Sequence, residues 1–228
     1  MSVTNRLQAA IAVLNLLCLG LFAAHLVAHR APAERGRFAE LDVERLNVVG
    51  AEGRPVLILS NRPRLPGPIF GGREYPKELA EGRSLLSGMI FLNEEGDEVG
   101  GLLYNGFKKG EGESDYGALE HLSFDQWKQN QVLALQYNDH GTSRRAGLTI
   151  WDRPTDRPLE EEFARREKML AASGEALAAL EREQAEARAA GAHGAQRLFV
   201  GSRDRVAQIE LNDAAGRVRA RLYVGADD

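Results

Sequence analysis

From Phe38 onward apolar and polar residues alternate in short runs interrupted by glycine, a period-two pattern that predicts β-strands. Four segments repeat one plan: an apolar strand, a polar turn ending in glycine, a few polar residues, then a second apolar strand. They are LNVVGAEGRPVLILSN (46–61), MIFLNEEGDEVGGLLYNG (89–106), VLALQYNDHGTSRRAGLTIW (132–151) and AQIELNDAAGRVRARLYVG (207–225). Their turn glycines, Gly53, Gly96, Gly141 and Gly216, supply positive φ without steric cost, and the neighbouring Asn and Asp bond their own backbone. Four hairpins make eight strands, enough for a small antiparallel barrel or sandwich.

Two stretches break this pattern. Leu7 to Val27 reads LQAAIAVLNLLCLGLFAAHLV, with no charge apart from a titratable His25. About 20 such residues span a bilayer as a helix, whereas the apolar part of a cleaved signal runs to about 15 at most. The run therefore predicts a single-pass transmembrane helix, and the APA at 31–33 leaves a cleaved signal peptide as the competing expectation. Arg6 precedes the run and Arg30, Arg35 and Arg37 follow it, which by Lys/Arg count alone puts the large part in the cytoplasm. A short basic tail is also that of a signal anchor, and an exported soluble part at a bacterial inner membrane is the orientation expected.

The second exception is 158–190, where Glu160, Glu161 and Glu162 follow Pro158 and favour the positive end of a helix dipole. Asp156 is a candidate cap, Glu161/Arg165 and Glu162/Arg166 are spaced as i,i+4 pairs, and Gly191 to Gly194 end the segment. Phe163, Leu170 and Leu177 recur every seven residues as a thin seam, and Ser173-Gly174 is a candidate kink. The fold expected is thus mainly β, with an N-terminal transmembrane helix and one long inserted helix. Residues 1–37 form anchor and connector, 38–157 three hairpins with a Pro/Gly-rich loop, 158–195 the helix, and 196–228 a final hairpin.

Composition narrows the chemistry. The 228 residues are 27% charged with a net charge of -4 and no basic stripe, which argues against nucleic-acid binding. The single cysteine, Cys18, lies in the apolar run, so thiolate zinc sites and a cysteine nucleophile are excluded from the rest. The turn NEEGDE (93–98) looks like a cation loop, yet an EF-hand begun at Asn93 needs glycine where Glu98 stands and a carboxylate where Tyr104 stands. Its three counterparts keep the glycine and lose the acidity, so a solvated hairpin turn is expected.

Outside that turn the best candidate metal set is His121 and Asp125 with Asp139 and His140, disfavoured because no spacing fixes their geometry. No G-x-S-x-G motif occurs, no catalytic or cofactor-binding residue is assigned, and Trp127 and Trp151 are expected in the core. The loop 62–88 is read as solvated, lying over the sheet edge. Its Arg62, Arg64 and Arg73 with Phe70 and Tyr75 offer a grip for an anion or a ring.

The phrases ELDVERLNVV, ILSNRPRLPGPI, GMIFLNEEGDEVGGLLYNG, LSFDQWKQNQVLAL and RRAGLTIWDRP resemble a family of uncharacterised bacterial proteins with an N-terminal hydrophobic segment and repeated Asx/acidic-Gly hairpins. The resemblance covers roughly 38–154 and more loosely LNDAAGRVRARL; it implies a bacterial, membrane-associated protein and carries no site residues.

Three functions are consistent with these features. The first is a non-enzymatic envelope protein, held in the membrane by 7–27, whose β domain binds another protein. The second is a small-molecule-binding or hydrolytic site between 62–88 and 108–125, which requires Arg73, Glu120, His121 and Asp125 to meet in one concavity. The third is oligomerisation through the helix.

Overall fold

All four hairpin turns form as their residues dictate, with Gly53, Gly96, Gly141 and Gly216 at φ of 78°, 83°, 77° and 77°. The computed structural model describes residues 3–28, 36–80, 82–112 and 116–225, which divide into units 1–42 and 43–228.

The first unit holds α1 (Val3–Ala28), whose described side chains, Gln8 and 11–25, are all exposed. Among the described residues no helix is long and apolar enough to cross a membrane. The transmembrane expectation therefore gains no support from this helix, although the apolar run 7–27 extends past the described side chains at both ends. The candidate cleavage site at 31–33 lies outside the described residues.

The second unit is one antiparallel sheet of ten strands in almost strictly sequential order. They are β1 (Arg45–Val49), β2 (Pro55–Ser60), then, after a separate small hairpin of β3 (Ile69–Phe70) and β4 (Arg73–Glu74), β5 (Ser87–Leu92), β6 (Glu98–Lys108), β7 (Tyr116–Asp125), β8 (Gln131–Asp139), β9 (Arg144–Asp152), β10 (Ala195–Arg203), β11 (Val206–Asn212) and β12 (Val218–Val224). β1 and β12 end the order and do not pair, so the sheet is an open meander in place of the closed barrel or two-layered sandwich expected. Each short turn returns the chain beside the strand it has just left, and only the β3–β4 hairpin stands outside the ten-stranded sheet among the described residues.

Two strands escape the sequence pattern. β7 carries Glu120, His121 and Asp125 within its alternation, and β10 joins β11 without a glycine. That turn places Asp204 and Arg205 at φ 48° and 75°, a two-residue hairpin geometry that favours Gly and Asn. Arg144 compensates: its N–H donates to Asp204 Oδ1 at 2.7 Å, and its carbonyl accepts from Asp204 N–H at 2.9 Å.

The Pro/Gly-rich loop is the cover of the core. Leu65, Ile69 and Leu86 bury against Ile58, Ile90, Leu92 and Leu103 on one sheet face, so the expected solvated loop is corrected to a second layer. Its backbone folds tightly enough that a Cβ on Gly67 would meet Tyr75 O at 1.8 Å. The inserted helix is likewise two: α2 (Leu159–Ala171) and α3 (Gly174–Ala189), broken where Gly174 takes φ +57°. α2 contributes Leu159 and Phe163 to a second cluster with Phe70, Tyr75 and Leu79, while Leu170 is exposed and α3 buries nothing. A continuous seven-residue seam does not survive that break. Trp127, expected in the core, is exposed on the β7–β8 turn because it lies at the bend.

Gly96 and Gly53 share a left-handed conformation, but only at Gly96 would a Cβ meet backbone, Gly72 N at 2.7 Å; Gly53 faces open space. Gly53→Ala is expected to cost about 1 kcal/mol and Gly96→Ala clearly more, about 2–4 kcal/mol, by urea unfolding. Equal losses would mean that the loop does not rest on the 93–98 turn.

Candidate functional site

The acidic turn is a socket for the covering loop. Asn93 Oδ1 accepts from the N–H groups of Glu95 and Asp97, closing an Asx turn that aims the Asp97 carboxylate inward. Asp97 accepts from Gly71 N–H at 2.7 Å and from Lys128 Nζ at 2.5 Å, and Glu95 shares the same ammonium at 2.6 Å. Burial alone would raise Asp97; the hydrogen bonds from Lys128, Gly71 and Asn93 outweigh it and hold the carboxyl below its usual range, while Lys128 is pushed up to about 12 by the same pairing. Glu98 takes a two-pronged bond from Arg83 at 2.9 and 2.8 Å, the arginine buried and the carboxylate largely so, and Arg83 Nε donates to Pro66 O at 3.0 Å. Three of the four carboxylates are therefore spent on cations of the protein itself, and the solvated-turn expectation is corrected.

Beneath the loop lies a cleft of about 300 Å³ between Phe70, Leu159 and Phe163 on one side and β6–β8 on the other. Alternate positions of β7 point His121, Ser123 and Asp125 into it. Arg145 Nη1 donates to Gln136 Oε1 at 2.9 Å, which turns the Gln136 amide nitrogen toward His121 Nδ1 at 2.9 Å. Nδ1 is thus an acceptor, Nε2–H donates to Gln131 Oε1 at 3.1 Å, and the ring is a neutral, fixed tautomer. Burial pushes its pKa down, consistent with that assignment. With both nitrogens engaged, His121 has no lone pair for Ser123, and the trio lacks the base–nucleophile contact of acyl-transfer enzymes.

Asp125 makes no side-chain hydrogen bond among the described residues, and burial together with the nearby Glu98 charge raises it to about 7 despite Arg153 and Arg83. The cleft therefore carries one carboxyl that gains and loses its proton near neutrality.

His121 and Asp125 meet in the cleft, but Asp139 and His140 lie at the far end of β8. Asp139 sits on the opposite sheet face, where Tyr116 and Tyr137 hydroxyls, Gly141 N–H and Arg144 Nε all donate to it. Among the described residues no three His, Cys, Asp or Glu side chains group as a metal site. Glu120 projects to the other face, paired across from Tyr104 and Tyr137, and Arg73 lies over Tyr75 with a two-pronged bond to Glu167 at 2.7 and 2.8 Å. Phe70 and Tyr75 are packed against Phe163, so the rings read as a grip are core. Arg83, Gln131 and Gln136 escaped the sequence reading: the fold of the covering loop brings Arg83 to the cleft, and strand register sets Gln131 and Gln136 against His121.

The face opposite the covering loop is the second candidate surface. Register sets Leu46, Leu59, Met89, Leu102, Leu122, Leu135, Leu148, Val200, Ile209 and Leu222 side by side, one from each of the ten strands. The adjacent row runs from Val48 through Phe91, Phe124, Ile150 and Leu211 to Ala220, with no polar residue in any strand. Of these twenty residues only Gly100 is buried; Leu135 is 55% exposed and Leu222 70%.

No protein-family model matches the chain, and neither a curated protein nor a solved structure is detectably similar to it.

Since Asp125 holds its proton more tightly folded than unfolded, the stability it contributes is full below about pH 4 and is lost as the pH rises through about 7. Asp125→Asn is expected to stabilise the protein by about 2 kcal/mol at pH 8 and to leave it unchanged at pH 4, read from urea midpoints. Arg83→Met strands the Glu98 charge and is expected to cost about 3 kcal/mol, most of it recovered in Arg83→Met/Glu98→Leu. A double variant as weak as the single one would show that the pair's charge is not the issue.

Proposed function

We propose that the chain is a membrane-anchored, non-enzymatic envelope protein of a bacterium whose β-sheet binds another protein. The observation that carries the reading is the two-row apolar face. Monomeric proteins seldom expose a contiguous apolar patch beyond about 300–600 Å², and larger ones mark interaction surfaces. The anchor rests on the residues of 7–27 alone, a run of about 20 with no charge apart from a titratable His25, which is the length that spans a bilayer. The exported side is the orientation favoured by the short basic tail. The neutral His121, both of whose nitrogens are taken by glutamines and not by Ser123, supports a non-enzymatic role.

One observation favours a second reading. Loop 62–86 and β7 do enclose a cleft with His121, Ser123 and an Asp125 poised near neutrality, a place for a small polar ligand.

Two measurements separate these. Photo-crosslinker at Leu135 of the full chain in native membranes is expected to yield protein adducts, and the chain is expected to resist alkaline extraction unless 1–37 are removed. No protein adduct at Leu135, together with a small-molecule thermal shift that His121→Ala/Asp125→Asn abolishes, would replace the first reading with the second.

A further inference from the structure

We infer that the partner on the apolar face is a second copy of this chain, packed sheet to sheet; this rests on the protein-binding reading above. Shape selects the occupant. Ten strands about 4.8 Å apart make a surface about 43 Å across, and two rows of residues make it about 14 Å deep. The two rows cross all ten strands, so a helix or an extended peptide would cover only a single strip of them. A second sheet of the same width covers both rows in every strand, and the chain itself supplies one.

The dimensions also suffice. A footprint of roughly 600 Å² on each copy gives about 1,200 Å² in total before side-chain relief is counted, at the lower bound of stable specific interfaces. Two sheets of one chain share the same twist, and equally twisted sheets pack face to face about 10 Å apart with strands near -30°. A two-fold axis in the plane between them sets identical surfaces against each other, so no other complementarity is required.

Charge argues the same way. None of the twenty positions is ionisable, so the face offers nothing that would select a partner by charge. Along its polar rim stand Glu120 and the Asp139–Arg144 pair, with Tyr104, Tyr116 and Tyr137. With Lys108 opposite Tyr116, these positions carry two acidic and two basic side chains, which is no basic excess of the kind that holds a face flat on anionic lipid.

The test uses the full chain with two different tags, co-expressed in its membrane, with photo-crosslinker at Leu135, at Phe124, or at Leu85, an exposed leucine outside the face. A product of twice the chain mass carrying both tags, formed from 135 and 124 and not from 85, is the expected result. Ile209→Glu/Leu222→Glu, both exposed positions of the first row, should reduce that product from 124 by about tenfold or more. Unchanged tag-to-tag product in this variant overturns the inference, because pairing would then lie elsewhere. Where the double variant is lost from the membrane, Leu222→Glu alone replaces it and is read the same way. Adducts from 135 only with a different protein overturn self-association and leave the binding function standing; adducts with lipid, or none, overturn both.

Discussion

The largely buried Arg83–Glu98 pair is the fastening on which the second unit depends. A single sheet buries nothing until something lies on it, and here the covering layer is a loop with little secondary structure of its own. Arg83 reaches from that loop to the first residue of β6, donating to Glu98 and to the loop's own carbonyls of Pro66 and Gly67. Gly71 N–H on Asp97 and Gly72 N–H on Gly96 O pin the loop's far end to the same turn. Polar anchors of this kind fix direction, while the apolar contacts of Leu65, Ile69 and Leu86 provide most of the burial.

That fastening shapes the cleft. Loop and α2 form its apolar wall and β7 its polar floor, with Glu98 serving both: paired with Arg83 it holds the loop, and its charge raises Asp125. The β7–β8 turn joins the two systems, since Lys128 Nζ meets Asp97 while Lys128 O accepts the first helical N–H of α2, Leu159, at 2.9 Å. A change at Lys128 is thereby felt in the loop, the turn and the helix start. The sheet's other face has no such cover, and its two unbroken apolar rows contrast with the His121–Gln136–Arg145 network on the covered side.

How much was legible from residues alone follows from the range of the forces involved. The four glycine-ended hairpins depend on interactions within about six residues, and all four appear. The Asp204–Arg205 turn was invisible because its unfavourable backbone is held by Arg144, sixty residues away. β7 was hidden because Glu120 and His121 stand side by side and interrupt its alternation. The kink before Gly174 was marked by its residues, but its consequence, α2 docked on the loop and α3 unburied, was not.

The sequence by itself determined the strand periodicity, the left-handed turns, the apolar N-terminal run and the confinement of the one cysteine to that run, because each is a local property of residue type and spacing. Only the tertiary structure decided that NEEGDE is a socket and not a solvated turn, since its cations come from Lys128 and from Arg83 across the loop. It alone aligned ten apolar residues, drawn from 46 to 222, into one row, because register is set by hydrogen bonding between strands that no single segment encodes.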